Sequence, residues 1–176
     1  MHIDLILEKL ERFGISTVSH SQESLLSHLK GTSRILHNWG CSEAICLAGL
    51  CHSIYGTESF LKVSATLDNR EYVRNLIGTE GEKLAYLFGA HKKESLWKNL
   101  GLSDSFCVHD RFTDQQVIIS KPELSGMITI TLANWLEQRP RAQAEDQFIR
   151  LNEFRSSKEF LPDMAYQDFI RAYNLN

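Results

Sequence analysis

Gly40 stands between two helix-periodic segments, and the turn it makes is too short to separate them. Before it, Leu25, Leu29, Ile35, Leu36 and Trp39 share one side of a helix over about residues 21–38. After it, Ser42 is a good N-cap for a helix that carries Ile45, Leu47, Ala48 and Leu50 and runs to about Tyr55. Helices joined so tightly lie antiparallel and side by side. His28 precedes Gly40 by as many residues as His52 follows it. At ~1.5 Å of rise per residue the two imidazoles therefore stand level, ~18 Å from the turn. Level imidazoles on packed helices can hold one metal ion or one anionic group, or can be plain polar residues at the open end of the hairpin.

Three prolines and ten glycines in 176 residues leave room for long helices and little for a many-stranded sandwich. Ile3, Ile6, Leu7, Leu10 and Phe13 predict a first helix stopped by Gly14, with residues 15–20 as a polar loop. Residues 58–69 fit a short helix or a loop equally. Residues 71–77 read as helix, and Thr79-Glu80-Gly81-Glu82 reads as a capping box that starts the next, through Leu84, Leu87 and Phe88. A short helix around residues 94–100 follows. Phe106-Cys107-Val108 and Val117-Ile118-Ile119 flank a polar Arg111–Gln115 turn, which predicts a β-hairpin. Ser120-Lys121-Pro122-Glu123 combines an N-cap, an early proline and a Glu three residues on, a strong helix start. Pro140 is expected to restart a helix to about Arg155, and Pro162 to open the last one. The expected fold is a mostly α helical bundle with one small β-hairpin, in a single domain over residues 1–176.

Nineteen Lys and Arg against 22 Asp and Glu give a net charge of −3, so no nucleic-acid-binding surface is expected. The longest apolar run, about residues 44–50, falls far short of a membrane span. Met1-His2-Ile3-Asp4 opens into an amphipathic stretch and not a secretion signal, so a cytoplasmic location is expected. Cys41, Cys46 and Cys51 recur every five residues, ~140° apart around one helix, which suits neither a disulfide nor a zinc cluster. With Cys107 they read as reduced thiols. Of the other histidines, His2, His20, His37 and His91 fall in polar or terminal contexts and are expected at the surface.

The surroundings of the histidine pair carry a resemblance. Ser27-His28, Gly31-Thr32 and Ala48-Gly49-Leu50-Cys51-His52-Ser53-Ile54-Tyr55-Gly56-Thr57 together resemble the HD-domain superfamily of metal-dependent phosphohydrolases, nearest the alarmone hydrolases. Leu132-Ala133-Asn134 is similar to that family's later Leu-Ala-Asp helix, and residues 82–87 to its Phe-Gly-Glu-Glu-Val segment. The resemblance covers about residues 20–140 and leaves residues 141–176 as additional C-terminal helices. It implies an HD-like bundle in which His28 and His52 hold a divalent transition metal (Mn, Fe or Zn). Thr32, Ser53, Asn134 and Arg111 would contact substrate, and Tyr55 or Asp110 would carry the proton.

The identities depart from the family at the site. Ser53 and Asn134 stand where the two Asp ligands belong, and Tyr55 and Gly56 replace the acidic pair that works on the attacking water. Two functions stay open for this divergent branch. One is a metal-dependent hydrolase of a small phosphorylated or nucleotide-like molecule, with an iron oxygenase as a variant. The other is a metal-free module that binds a small ligand or a protein partner and keeps the helical shell. Asp110, Asp114 and Glu137 are the acids that could replace the missing ligands if the hairpin and the late helix close over the pair; a solvated position is the plainer expectation for each.

Overall fold

The computed structural model describes residues 3–12, 22–61, 63–143, 146 and 148–175. The chain order is α1 (Ile3–Arg12), α2 (Gln22–Asn38), α3 (Glu43–Leu50), α4 (Arg70–Ile77), α5 (Thr79–Ala90), α6 (Lys93–Trp97), β1 (Cys107–Asp110), β2 (Gln115–Ile118), α7 (Lys121–Gln138), α8 (Leu151–Ser156) and α9 (Asp163–Ala172). The fold is mostly α with one two-stranded antiparallel sheet, as the sequence pattern predicts. The stop at Gly14 and the loop at residues 15–20 lie outside the described residues.

α7 is the central helix. Its Leu124, Met127, Ile128, Ile130, Leu132 and Ala133 are all buried, so it is apolar nearly all round, which only a surrounded helix can be. Its start is the predicted capping box: the Ser120 N–H donates to Glu123 Oε2 at 2.7 Å, and the Glu123 N–H to Ser120 Oγ at 3.4 Å. One apolar cluster joins α7 to Leu36 of α2, Leu84, Leu87 and Phe88 of α5, Phe154 of α8 and Phe169 of α9. A second joins Leu7, Leu29, Leu47, Leu50, Val73 and Ile77 from α1 to α4. Each such side chain contributes roughly 1.5–3 kcal/mol on burial. Among the described residues no helix is long and apolar enough to cross a membrane.

Three expectations are corrected. α3 ends at Leu50, five residues before Tyr55, and residues 51–55 form tight turns. The Gly49 carbonyl, which a continuing helix would offer to the Ser53 N–H, instead accepts the His52 Nδ1–H at 2.7 Å. Thr79 is the first helical residue of α5 and not its cap, since Gly78 takes the cap position at φ +79°. Glu82 is consequently free to turn inward. At Pro140 the chain makes a short 3-10 turn, Arg139–Arg141, and among the described residues the next α-helix begins at Leu151.

Candidate functional site

α2 and α3 bring the two histidines together as their spacing requires: the rings of His28 and His52 lie 5.2 Å apart, edge to face at 88°. His52 also meets the Phe88 ring at 5.3 Å, and Phe88 meets His91 at 5.6 Å. These four rings, with Asn134, Trp135 and Ser53, line a cleft of about 880 Å³. Lys93, Arg141 and Arg150 stand on the same cleft, against Glu58.

The carboxylate beside the pair comes from α7. Glu137 accepts a hydrogen bond from His28 Nδ1 and a second from Arg141 Nη2 at 2.6 Å. Burial raises the Glu137 carboxyl, but the two donors together outweigh it and hold it below the usual carboxylate range. Gly31, one turn after His28, makes room for this contact: a Cβ there would stand 2.8 Å from Glu137 Cγ. Gly31→Ala is therefore expected to push Glu137 off His28 and to cost about 1–3 kcal/mol, as overpacking does. Loss of the His28–Glu137 coupling in a double-mutant cycle built on the Gly31→Ala background is the check.

His52 is 4 % exposed and burial pushes its imidazole down to about 4. Its Nδ1–H is held by the Gly49 carbonyl, which fixes the neutral tautomer with the lone pair on Nε2. His91, expected at the surface, is 6 % exposed and its Nδ1–H donates to the Phe88 carbonyl at 2.8 Å. The β1–β2 hairpin buries it: Asp110 bridges to His91, and the Lys92 N–H donates to the His109 carbonyl at 2.9 Å. No local pattern marks His91 as buried, because its cover comes from residues 107–118. His37 is exposed, and His2 and His20 lie outside the described residues.

The remaining expected site residues are placed elsewhere. Tyr55 is buried and turned from the cleft, its hydroxyl donating to Glu82 Oε1 at 3.0 Å, and burial with the Glu82 charge raises it out of the range of a proton carrier. Asp110 is 3 % exposed and accepts from Tyr86 Oη at 2.6 Å and from the Phe112 N–H at 2.8 Å, which closes the turn of the hairpin. Among the described residues Arg111 pairs with no anion: its Nε donates to the Gly89 carbonyl at 2.8 Å and its Nη2 to the Tyr55 carbonyl at 3.3 Å, strapping the 51–55 turns to α5. Asp114 is exposed and accepts from His109 Nε2 at 2.7 Å. Thr32 lies in the core, its Oγ1 without a partner among the described residues. The cleft thus keeps His28, His52, Ser53 and Asn134 and leaves out the hairpin whose acids could have replaced the missing ligands.

Around Glu82 a second polar cluster forms. Its carboxylate, 1 % exposed, accepts from Arg70 Nε at 2.7 Å, Arg70 Nη2 at 3.1 Å and Tyr55 Oη, with Arg74 Nη2 at 3.6 Å. The Arg70 guanidinium also stacks 3.7 Å from the centre of the Tyr86 ring. This group ties the end of α3, α4, α5 and the hairpin together.

The donor set does not fit the divalent ion that the resemblance implies. No group of three or more His, Cys, Asp and Glu among the described residues could hold one. The one carboxylate at the pair, Glu137, is already shared by His28 and Arg141, and Ser53 and Asn134 offer only neutral oxygens to offset a double charge.

A family model described as a domain of unknown function, DUF6817, matches residues 9–93. That stretch spans α2 to α5, with His28, His52 and Glu82, and stops before the hairpin and before Asn134 and Glu137. No curated protein and no solved structure matches the chain.

Proposed function

We propose that the chain binds a small molecule in the cleft between α2, the 51–55 turns, α5 and the end of α7, with no divalent ion held between His28 and His52. The observation that carries this reading is the cleft itself. Its volume of about 880 Å³ suits a small-molecule ligand, and its wall sets a few polar atoms among aromatic side chains. His28, backed by Glu137, supplies an imidazole oriented by a carboxylate, and Asn134 and Ser53 supply neutral hydrogen-bonding groups. Lys93, Arg141 and Arg150 would meet the charged end of a phosphorylated or nucleotide-like molecule. Four free thiols suit a reducing compartment, and we place the protein in the cytoplasm on that ground.

The resemblance favours a second reading, in which the HD-like shell holds a metal and hydrolyses such a molecule; the donor set weighs against it. Two measurements separate the readings. Protein purified without tag or chelator is expected to carry no stoichiometric Mn, Fe or Zn by mass spectrometry. In thermal-shift assays against nucleotides and sugar phosphates, a ligand present at 100 times its Kd is expected to stabilise by about 2.7 kcal/mol. That is a rise of roughly 5–10 °C, abolished in Asn134→Leu. Stoichiometric metal that disappears in His28→Ala/His52→Ala would restore the metallohydrolase reading. A full panel with no shift would overturn the binding one.

A further inference from the structure

The wall formed by His52, Phe88 and His91 has a chemical character of its own. Both imidazoles pack edge to face on Phe88, at 74° and 70°, and both are more than nine-tenths buried. Each spends its only N–H on a backbone carbonyl of its own helix turn, His52 on Gly49 and His91 on Phe88. What each ring has left is Nε2, a bare lone pair. No described residue donates to either one. Both residues line the cleft. Neither Nε2 is sealed from solvent, so a ligand's N–H or O–H would take the place of water there, whereas a phosphate or carboxylate would press its own lone pairs against it.

Resting on the cleft being a small-molecule site, we infer that it selects its ligand by hydrogen-bond donors. A planar, N–H- or O–H-bearing ring lies along the Phe88 wall and donates to Nε2 of His52 and of His91. Any anionic part of the same molecule is turned away from this wall, toward Lys93, Arg141 and Arg150. The apolar partners for the ring are Phe88, between the two acceptors, and Leu25, Trp97 and Trp135 on the same cleft. Such a site discriminates against an analogue that lacks the donor, because the bound analogue shuts the two acceptors off from water and leaves them unpaired.

The test uses matched neutral probes on the intact, ¹⁵N-labelled chain: indole, 5-aminoindole and 1-methylindole, the last of which has no N–H. Indole is expected to bind about ten-fold more tightly than 1-methylindole and to shift the Nε2 resonance of His52 or His91. With its two donor groups, 5-aminoindole is expected to shift both. His52→Phe and His91→Phe keep a ring against Phe88 and remove the acceptor, so the double variant is expected to bind indole and 1-methylindole equally. If 1-methylindole binds the wild-type cleft as well as indole, read from the Asn134 side-chain amide, the donor rule is overturned while the cleft stands as a ligand site. If none of the probes moves any cleft resonance, both the rule and the binding reading fail.

Discussion

Arg70→Met is expected to destabilise the protein by about 3–5 kcal/mol, the cost of leaving a buried carboxylate without its main partner. Glu82 is 1 % exposed and draws two of its hydrogen bonds from the Arg70 guanidinium; Arg74, at 3.6 Å and half in solvent, does not replace them. Glu82→Gln is expected to cost less, about 1–2 kcal/mol, because the amide oxygen still accepts from Tyr55 and no charge is stranded. The ordering matters more than either value, since a purely steric role for Glu82 would make the isosteric Gln nearly silent and Arg70→Met mild. Arg70 also covers Tyr86, whose hydroxyl holds Asp110, and Asp110 bridges to His91. Its loss is therefore expected to loosen the hairpin and, with it, one wall of the cleft. Urea unfolding followed by circular dichroism gives the free energies, and His91 ring resonances report the wall. An Arg70→Met variant within 0.5 kcal/mol of wild type, taking that as roughly the spread of neutral surface changes, would sink the argument.

What the sequence made legible was local geometry. The α2–α3 hairpin follows from two helical periods and a turn at Gly40, and helix rise then brings His28 and His52 together with no knowledge of the rest of the chain. The capping box at Ser120 and the hairpin between Cys107 and Ile118 are equally short-range. Other features depend on packing that no spacing encodes. Glu82 sits in a valid capping pattern, yet burial beside Arg70 draws its carboxylate inward. Glu137 shares a helix face with Asn134, but the choice between solvent and His28 is made by how α7 crosses α2, where the missing side chain of Gly31 leaves room for it. The early end of α3 turns on a side chain outcompeting the backbone for a single carbonyl. His91 was misplaced because its burial comes from a hairpin far along the chain.

Between about pH 6.5 and pH 4 the protein is expected to lose about 3 kcal/mol of stability through His52 alone. Burial in the first place, and the neighbouring His28 after it, lower the folded-state value to about 4, against about 6.5 for an unfolded chain. The unfolded state thus takes up a proton at a pH where the folded state does not, so the stability present above 6.5 drains away as pH falls and levels off below 4. His91, lowered chiefly by burial, acts in the same direction and steepens the slope. The Glu137 carboxyl, held below its ordinary value of 4.5 by His28 and Arg141, contributes in a separate and more acidic window. His52→Phe keeps the edge-to-face contact with Phe88 but cannot be protonated. Denaturant midpoints at pH 7, 5.5 and 4 are expected to fall less steeply in this variant than in wild type. Equal slopes in the two proteins would mean that His52 takes up its proton as readily in the folded state as in the unfolded chain, and the acceptor on the cleft wall would then be lost as pH falls through about 6.5.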